Sequence, residues 1–497
     1  MAIAPRPKRP ADGLASPDAK STKREPGTAA RDGRTKQAKT SDSAAVPTLG
    51  GYEFNEDGTA TGFIYGSTAF RDGESVTTSV VASRTEQAVE TESGSRYALG
   101  VRAPTPAEAP LGPTTVAVVG NGDCGQLGFG SDLLEAMKPR RCPFFEGKRI
   151  VSIACGGMHS AAVGAAGELF TWGCNDDGAL GRAGDEEVPM VVSGGALATH
   201  RVAAVACGDS VTTALCVGGR VCSWGTYKDA GGALGFSEAT VVQHEPLLLE
   251  GLPTVRVVAC GANHTVAVTM RGQLYAWGCG EQGQLGCKVL ASRPKAKLLP
   301  TQPLPLRRGR GAALPVVSCG AGAYHSLAIT ADGGVWAFGL NNHGQLGVGG
   351  TGGAAAPVRV RALDDLRVEA CDGGEHHSLV RTADGEVWGF GRADSNQLGL
   401  GDDAMAEEGG DGARETPVRV SGLDGVRVAS VVCGSNHCGA VTAEGDLYTW
   451  GFGEMHQLGH GEADDEAAPR RVDAVKGRLT QMGAGGQHSV LLLKPKP

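Results

Sequence analysis

The feature of this sequence that most constrains its fold is a repeat of about 50 residues that begins after residue 110. Each copy contains a short apolar stretch that ends in an aromatic residue and Gly. The copies are Leu169–Gly173, Val221–Gly225, Leu274–Gly278, Val335–Gly339, Val387–Gly391 and Leu447–Gly451, with a weaker first copy at Val116–Gly120. A repeat of this length is typical of solenoids, arrays and β-propellers.

Two further signals share the period. A small-residue turn follows an apolar stretch, and we align it as Cys155-Gly156-Gly157, Cys207-Gly208, Cys260-Gly261, Cys319-Gly320, Cys371-Asp372-Gly373, Cys433-Gly434 and Ala484-Gly485-Gly486. Gly-Gln-Leu-Gly or a near variant follows most aromatic-Gly pairs, as at Gly125–Gly128, Gly283–Gly286 and Gly344–Gly347. Short strands separated by Gly turns are not stable as isolated sheets. Blades arranged around an axis, in contrast, bury one another's faces.

These signals predict an all-β fold, a seven-bladed β-propeller over residues 111–497. The first copy has no preceding Cys-Gly-Gly strand, and the last copy ends in Gly485–Leu492 with no aromatic-Gly strand after it. We therefore expect the N-terminal strands to complete the blade that the C-terminal strands begin. All seven blades are expected to have four strands.

Two segments precede the repeats. Residues 1–46 hold ten Lys and Arg against five Asp and Glu, although the whole chain has a net charge of −8. They have almost no large apolar side chain, so they cannot bury enough surface to offset the entropy of ordering, and we predict a disordered basic tail. Residues 47–110 are polar and rich in Gly and Ser, and we predict a mostly disordered extension of unknown role.

Composition excludes several classes of protein. No run of 18 apolar residues occurs, so no membrane span or membrane partner is expected. The N-terminus lacks an apolar segment, so secretion is not expected. Most of the 14 Cys lie in apolar stretches and are predicted to be reduced core residues. Cys433, His437 and Cys438 are the one metal-like group, but they lack a second ligand pair at zinc spacing, so no metal site is predicted.

Motifs for covalent chemistry are weak. Gly120–Gly125 and Gly278–Gly283 match a dinucleotide-binding pattern, but both occupy a strand-to-strand turn where a helix would be needed. Gly208-Asp209-Ser210 resembles a nucleophile motif without a matched His base. We therefore predict a binding protein that is not an enzyme and has no cofactor.

Six His follow the small-residue turns, namely His159, His264, His325, His376, His437 and His488. Two roles remain open for them. Each is either a structural residue that hydrogen-bonds the next turn or a binding residue exposed on one propeller face.

The repeats resemble those of the regulator of chromosome condensation family. The stretches that carry the resemblance are Gly120–Gly128, Gly156–His159, Gly173–Arg182, Gly278–Gly286 and Gly485–Leu492. The resemblance covers about residues 115–494. The repeat alone also occurs in a plant ultraviolet-B photoreceptor and in ubiquitin ligases. The more specific stretches favour the chromatin-associated exchange factor for the nuclear GTPase Ran.

The resemblance implies a GTPase-binding face. The residues that match its contact positions are Asp123, His159, Asp209, His376 and His488. Asn263 stands where the family has an Asp. The segment Tyr227, Lys228, Asp229, Ala230, Gly231, Gly232 and Ala233 matches a hairpin that acts as a wedge against the nucleotide pocket of the GTPase. A longer surface loop is the alternative.

The resemblance also implies contacts with the nucleosome, that is, with histones and DNA. A stretch over residues 288–313 is basic and has no acidic residue, and it contains Lys288, Arg293, Lys295, Lys297, Arg307, Arg308 and Arg310. The tail offers Lys8, Arg9, Lys20, Lys23 and Arg24 for DNA phosphates and for a nuclear import receptor. The expected protein is nuclear and chromatin-associated, and it releases GDP from Ran by binding alone. A scaffold propeller for another partner is the alternative.

Overall fold

The computed structural model describes the backbone of six strands between Thr48 and Leu99, and residues 114–309, 311–401 and 412–495. The six strands are β1 (Thr48–Phe54), β2 (Ala60–Tyr65), β3 (Glu74–Thr77), β4 (Val81–Arg84), β5 (Ala88–Thr91) and β6 (Arg96–Leu99). They form one sheet in the order β3-β2-β1-β6-β5-β4, in which β1 and β6 are parallel. The structure thus differs from the mostly disordered extension expected here. The predicted disordered tail, residues 1–46, lies outside the described residues.

Eight further sheets follow. Seven of them are blades, which we number in chain order, and the eighth is a two-stranded hairpin. Blade 1 contains β7 (Thr115–Asn121) and β8 (Glu135–Arg141). Blade 2 contains β9 (Ile150–Cys155), β10 (His159–Gly164), β11 (Leu169–Gly173) and β12 (Met190–Val191). Blade 3 contains β13 (Val202–Cys207), β14 (Val211–Cys216) and β15 (Val221–Gly225). A hairpin of β16 (Tyr227–Asp229) and β17 (Gly232–Gly235) follows, and β18 (Gln243–Leu248) then completes blade 3.

The remaining blades repeat this plan. Blade 4 contains β19 (Val255–Cys260), β20 (His264–Thr269) and β21 (Leu274–Gly278). Blade 5 contains β22 (Val316–Ala321), β23 (His325–Thr330), β24 (Val335–Gly339) and β25 (Ala354–Arg359). Blade 6 contains β26 (Val368–Gly373), β27 (His377–Thr382), β28 (Val387–Gly391) and β29 (Arg414–Arg419). Blade 7 contains β30 (Val428–Cys433), β31 (His437–Thr442), β32 (Leu447–Gly451) and β33 (Glu466–Arg471). The last two strands, β34 (Arg478–Ala484) and β35 (His488–Lys494), belong to blade 1.

The chain closes as the sequence predicted. Strand β35 pairs with β7 in antiparallel register, with His488 opposite Gly120 and Leu492 opposite Val116. The seven-bladed all-β propeller is therefore confirmed. The described residues include no α-helix, and their 3₁₀ segments are Gly130–Asp132, Pro143–Phe145, Gly195–Ala198, Pro294–Lys297 and Arg361–Leu363. None of the described helical segments is long and apolar enough to span a membrane.

One detail of the prediction is wrong, because blade 4 has three strands. Its fourth-strand position is occupied by an irregular segment that touches β21 through a single bridge, Leu274 to Leu304. Leu298 and Leu306 anchor this segment in the core. The segment is the basic stretch 288–313, whose Pro and Arg residues do not give the alternating pattern of a paired strand.

The aromatic-Gly strands join neighbouring blades. Trp172, Trp224, Trp277 and Trp450 are fully buried. Trp172 Nε1 donates to the Gln126 carbonyl at 2.9 Å, and Trp450 Nε1 donates to the Gln397 carbonyl at 3.1 Å. The indoles of Trp172 and Trp450 thus pack between two blades, and each satisfies a carbonyl of a Gly-Gln-Leu-Gly-type turn.

Candidate binding face of the propeller

Two loops from every blade meet at one end of the propeller. One is the turn between the first and second strands, and the other follows the third strand. Because successive strands are antiparallel, both lie at the same end, which we call the upper face. The turn between the second and third strands lies at the lower face.

The pairing of first and second strands fixes which residues of the seven turns are equivalent. The pairs are Cys155 with Ser160, Cys207 with Thr212, Cys260 with Thr265, Ala321 with Ser326, Gly373 with Ser378, Cys433 with Cys438 and Ala484 with Ser489. The sequence alignment of Cys319 and Cys371 with the other turns was therefore wrong by two residues. A shift of two preserves the inward and outward alternation of a strand, so the apolar pattern did not reveal it.

The same register identifies the repeated His of blade 6 as His377. His377 lies opposite Gly391, as His159 lies opposite Gly173 in blade 2. His376, which the sequence analysis placed in this series, is the preceding turn residue and lies on the upper face.

The repeated His form a ring of hydrogen bonds between blades. Each Nε2 contacts the residue that follows the equivalent His position of the next blade. The contacts are His159 to Thr212 at 2.8 Å, His264 to Ser326 at 2.7 Å, His325 to Ser378 at 2.7 Å, His377 to Cys438 at 3.0 Å, His437 to Ser489 at 2.9 Å and His488 to Ser160 at 2.7 Å. Blade 3 lacks this link because Val211 occupies the His position.

The protonation of these rings follows from the hydroxyl groups. The Thr212 hydroxyl donates to the Ala179 carbonyl at 2.8 Å, and the Ser326 hydroxyl donates to the Gln284 carbonyl at 2.8 Å. A hydroxyl that donates its one proton to a carbonyl accepts from the imidazole, so each His carries its proton on Nε2. Burial lowers the pKa of His159 to about 4 and that of His264 to about 3.

We expect this ring to make the propeller unstable in mild acid. Burial also lowers the pKa of His325, His437 and His488 to about 3. The folded state therefore binds fewer protons than the unfolded chain, whose His titrate near 6.5, and stability falls as the pH drops below about 6.5. Each of the five residues costs about 2 kcal/mol at pH 5. Their sum is comparable to the stability of a whole domain.

Urea unfolding at pH 7.5 and at pH 5 measures this effect. Asp372 opposes it, because burial raises the pKa of its carboxyl group to about 7. His437→Gln is expected to reduce the pH dependence, whereas His244→Gln, which changes an exposed ring, is the control. Equal stability of the wild type at both pH values contradicts the prediction.

Two predicted GTPase contacts, those of His159 and His488, do not fit the positions of these residues in the ring. The side chains of His159 and His488 are fully buried and hydrogen-bonded between blades. They are structural residues, and their predicted direct contact with a GTPase does not fit this position. The structural role that the sequence left open for the repeated His holds for His264, His325 and His437 as well.

A ring of seven Gly lies beside the His, where the blades approach the central channel. A Cβ on Gly156 would lie 2.1 Å from the Gly208 carbonyl oxygen, and one on Gly261 would lie 2.2 Å from the Gly322 oxygen. The same contact runs through Gly374 and Gly434 and closes with Gly485 onto Gly156. Their turns line a channel of about 360 Å³.

Acidic residues occupy the upper face. The residue three positions after the Gly of each third strand is Asp123, Asp176, Glu281, Asp394 or Glu454 in five blades, and Lys228 or Asn342 in the other two. All five acidic residues are exposed. The structure thus places the predicted Asp123 in a ring of carboxylates. The other four were not predicted from the sequence, although their spacing from the aromatic-Gly pair is a signal that points to them.

Asp209 lies nearer the axis, at the mouth of the channel. Its side chain is exposed to solvent, but residues of the channel rim lie close to it. A Cβ on Gly157 would lie 2.8 Å from the Asp209 Oδ1 atom. Loss of hydration beside the rim raises the pKa of the Asp209 carboxyl, as does the negative charge of Glu375, whereas Lys228 lowers it. Asp209 and Asp123 are therefore both available to a partner on one face.

His376 lies on the same face and is half-buried. Its ring stacks on Tyr324 at a centroid distance of 5.6 Å and lies 4.9 Å from the His343 ring. Its Nε2 is 3.9 Å from Glu375 Oε1. Tyr324 and His343 were not predicted from the sequence, since neither belongs to the repeated signals.

The predicted wedge is a two-stranded hairpin on the upper face. Tyr227 is buried at its base and stacks on Phe236, with ring centroids 6.2 Å apart. Ala230, Gly231, Gly232 and Ala233 are exposed. The tip is therefore free to contact a partner while the base is fixed in the core.

Polar contacts hold the hairpin in place. Lys228 Nζ lies 2.5 Å from Asp177 Oδ2, which also accepts from the Ser210 hydroxyl at 2.8 Å. The Lys228 N–H donates to Asn263 Oδ1 at 2.8 Å, and the Ala230 N–H donates to Glu281 at 3.1 Å. Asn263, the departure from the family pattern, thus supports the hairpin.

The basic stretch is divided between the two faces. Pro294–Lys297, which includes Lys295 and Lys297, packs beside β17 of the hairpin, and Arg293 and Lys288 nearby are exposed. Arg308 forms an ion pair with Asp332 in the β23–β24 turn of the lower face, and Arg307 donates to the Gly311 carbonyl at 2.9 Å. Arg310 and the tail residues Lys8, Arg9, Lys20, Lys23 and Arg24 lie outside the described residues.

The described residues contain one group able to hold a metal ion. It is His377, Cys433 and Cys438, whose ligand atoms lie within 4.8 Å of one another. From the sequence the two Cys were grouped with His437, but His437 is hydrogen-bonded to Ser489 in the next blade.

Comparison with known proteins agrees with this architecture. The model of the RCC1-like domain matches residues 115–491. The chain is 37% identical to Protein pim1 of Schizosaccharomyces pombe, covering 77% of this chain and 75% of pim1. It is 35% identical to the regulator of chromosome condensation of Mus musculus, covering 77% and 91%. It is 31% identical to guanine nucleotide exchange factor SRM1 of Saccharomyces cerevisiae, covering 76% and 87%.

Solved structures show the same similarity. Prp20p of Saccharomyces cerevisiae, which was studied with its binding to Gsp1p and histones, matches with a TM-score of 0.72 and 31% identity, covering 78% of this chain and 93% of Prp20p. Yeast RCC1 bound to Kap60 matches with a TM-score of 0.71 and 31% identity, covering 78% and 90%. Because the domain model spans most of the chain and these relatives match over most of their own length, the chain belongs to the RCC1-like family.

Proposed function

We propose that this protein is a chromatin-associated guanine nucleotide exchange factor that releases GDP from the small GTPase Ran. The observation that carries the proposal is the hairpin, which is anchored by Tyr227 and has an exposed tip on the acidic upper face. The relatives named as an exchange factor and as regulators of chromosome condensation support it.

The upper face suits a basic partner surface. Asp123, Asp209 and His376 lie there, with the further carboxylates Asp176, Glu281 and Asp394. Complementary charge accelerates encounter and fixes the orientation of a partner. In this proposal the carboxylates dock the GTPase, and docking brings the hairpin tip to the nucleotide pocket.

Exchange needs no covalent step. The protein binds the nucleotide-free GTPase more tightly than the nucleotide-bound form, and this difference in affinity displaces the nucleotide. A new nucleotide displaces the protein by the same linkage. A shift from 1:99 to 99:1 needs about 5.5 kcal/mol of differential affinity. The acid and base groups of the upper face therefore act in binding and orientation alone.

Release of a fluorescent GDP analogue from Ran, with and without the full chain, tests the proposal. Rapid release that grows with protein concentration and saturates is the expected result. If the protein leaves release at its spontaneous rate, the alternative of a scaffold propeller for another partner replaces this function.

The chromatin and import contacts are a second part of the proposal. Prp20p was studied with histones and yeast RCC1 was solved with Kap60, which supports a histone partner and an import receptor for this chain. We assign DNA contact to the tail residues Lys8, Arg9, Lys20, Lys23 and Arg24. Arg293, Lys295 and Lys297 beside the hairpin, and Arg307, Arg308 and Arg310, are proposed to contact the nucleosome.

We expect removal of residues 1–46 to weaken DNA binding and to reduce its dependence on salt, because each Lys or Arg on a phosphate releases a counterion. Binding to duplex DNA at several salt concentrations measures this for the full and shortened chains. GDP release is the control and is expected to stay the same. An unchanged salt dependence contradicts the role of the tail.

A further inference from the structure

The link between blades 6 and 7 differs in chemistry from the other five His links. His377 Nε2 contacts a thiol, Cys438 Sγ, at 3.0 Å, whereas the others contact hydroxyl groups. Cys438 lies directly opposite Cys433 in the pairing of β30 with β31. Blade 7 is the one blade with Cys at both of these paired positions.

The three side chains form a compact buried cluster. His377, Cys433 and Cys438 are all buried, and their ligand atoms lie within 4.8 Å of one another. Ligand atoms around a tetrahedral zinc ion are about 3.5 Å apart, given metal-ligand bonds of about 2.0–2.3 Å. The cluster therefore reaches coordination distance with side-chain movements of about 1 Å.

The donor set selects the cation. Two thiolates and one imidazole nitrogen favour zinc and other thiolate-binding ions over Mg²⁺ and Ca²⁺, which prefer oxygen. The fold supplies an entry path as well, because Cys433 lines the central channel. Asp372 lies beside the cluster, and its Oδ2 accepts the Cys433 N–H at 2.9 Å. Its carboxylate fixes the backbone that carries one of the ligands.

We propose that His377, Cys433 and Cys438 bind one Zn²⁺ ion, which joins blade 6 to blade 7 at the wall of the central channel. The two thiols release their protons as the metal binds, so affinity falls with acidification. Three protein ligands leave a fourth position, which a water molecule from the channel completes. The ion replaces a neutral hydrogen bond by a coordinated link between blades, and this link is independent of the proposed exchange activity.

The repeats supply variants that are compatible with the fold. Cys438→Ser introduces the residue that Ser160, Ser326, Ser378 and Ser489 provide in other blades. Cys433→Ala introduces the residue found at Ala321 and Ala484. The matched control is Cys155→Ala, which removes the equivalent channel-lining Cys of blade 2, where the partner is Ser160.

The experiment uses the full chain, reduced and freed of metal with a chelator. Zn²⁺ is titrated in competition with a chromophoric chelator, and Co²⁺ reports the number of thiolates through its charge-transfer absorption. The wild type and Cys155→Ala are expected to bind one ion and to gain melting temperature with Zn²⁺. Cys438→Ser and Cys433→Ala are expected to lose about a hundredfold or more in affinity, and this gain in melting temperature with it.

Two results overturn the proposal. One is a wild type that binds no stoichiometric Zn²⁺ in its reduced form. The other is wild-type affinity in both Cys438→Ser and Cys433→Ala while their melting temperatures without metal show that they are folded. Loss of one thiolate absorption in each variant supports the assigned ligands.

Discussion

Deleting the hairpin tip, Ala230–Gly232, is expected to lower the maximal rate of GDP release from Ran about tenfold or more. The tip is exposed, and its deletion removes the hydrogen bond from the Ala230 N–H to Glu281. Tyr227 stays in the core, so the propeller keeps its base. A tenfold loss corresponds to about 1.4 kcal/mol of transition-state stabilisation. We assign this loss to the pocket of the GTPase, since the docking carboxylates remain.

Asp209→Asn is the matched variant for docking. It removes the charge at the channel mouth and keeps the shape of the side chain. Because Asp209 is exposed in the free protein and is proposed to pair with a basic residue of the GTPase, we expect the concentration for half-maximal exchange to rise about tenfold. The maximal rate is expected to change little.

Exchange rates measured over a range of protein concentrations separate the two effects. Arg220→Ala is the control, because Arg220 lies in the β14–β15 turn at the lower face of the same blade and pairs loosely with Glu250 at 3.5 Å. Melting temperatures identify variants that fail to fold. If the tip deletion raises the half-maximal concentration and spares the maximal rate, the wedge assignment is wrong.

Gly156→Ala is expected to lower the free energy of unfolding by about 3 kcal/mol or more. Its Cβ would lie 2.1 Å from the Gly208 oxygen and 2.7 Å from the His159 ring, so two blades would have to separate. Overpacking of a tight interior costs about 1–3 kcal/mol, and backbone contacts place this site at the upper end. The ring closes on itself, so one displaced blade strains its neighbours.

Gly352→Ala is the control, since a Cβ there meets no atom within 4 Å. Urea unfolding of both variants and the wild type measures the difference. A Gly156→Ala protein within 0.5 kcal/mol of the wild type, about the range of neutral surface changes, contradicts a tight glycine ring.

The sequence repeat was sufficient to predict much of the propeller architecture. A single blade cannot bury its two faces alone. The repeat length, the strand length and the positions of Trp and Gly therefore recur in each copy, so that neighbouring blades pack against one another. The closure was predicted as well, because the incomplete first copy and the incomplete last copy together make one complete blade. The three-stranded form of blade 4 was not predicted. No local pattern shows that the basic stretch 288–313 takes the position of a fourth strand without pairing as one.

Register limited the prediction of the site. His376 and His377 are adjacent, and both satisfy a Gly-Gly-x-His pattern approximately. Pairing of β26 with β27 assigns the buried link to His377 and leaves His376 at the surface beside Tyr324. Asp209, in contrast, was predicted through its match to a contact position of the family, and it lies in the β13–β14 turn of the upper face.

The sequence by itself thus determined the fold class and the closure, because these depend on local patterns that recur along the chain. The tertiary structure alone decided which His are buried, why Gly156 is a Gly and which His meets Cys433 and Cys438. Each of these depends on the distance between side chains or backbone atoms of different blades, about 50–60 residues apart in the chain or at its two ends. No local pattern encodes that distance, since it is set by how closely seven blades pack around one axis.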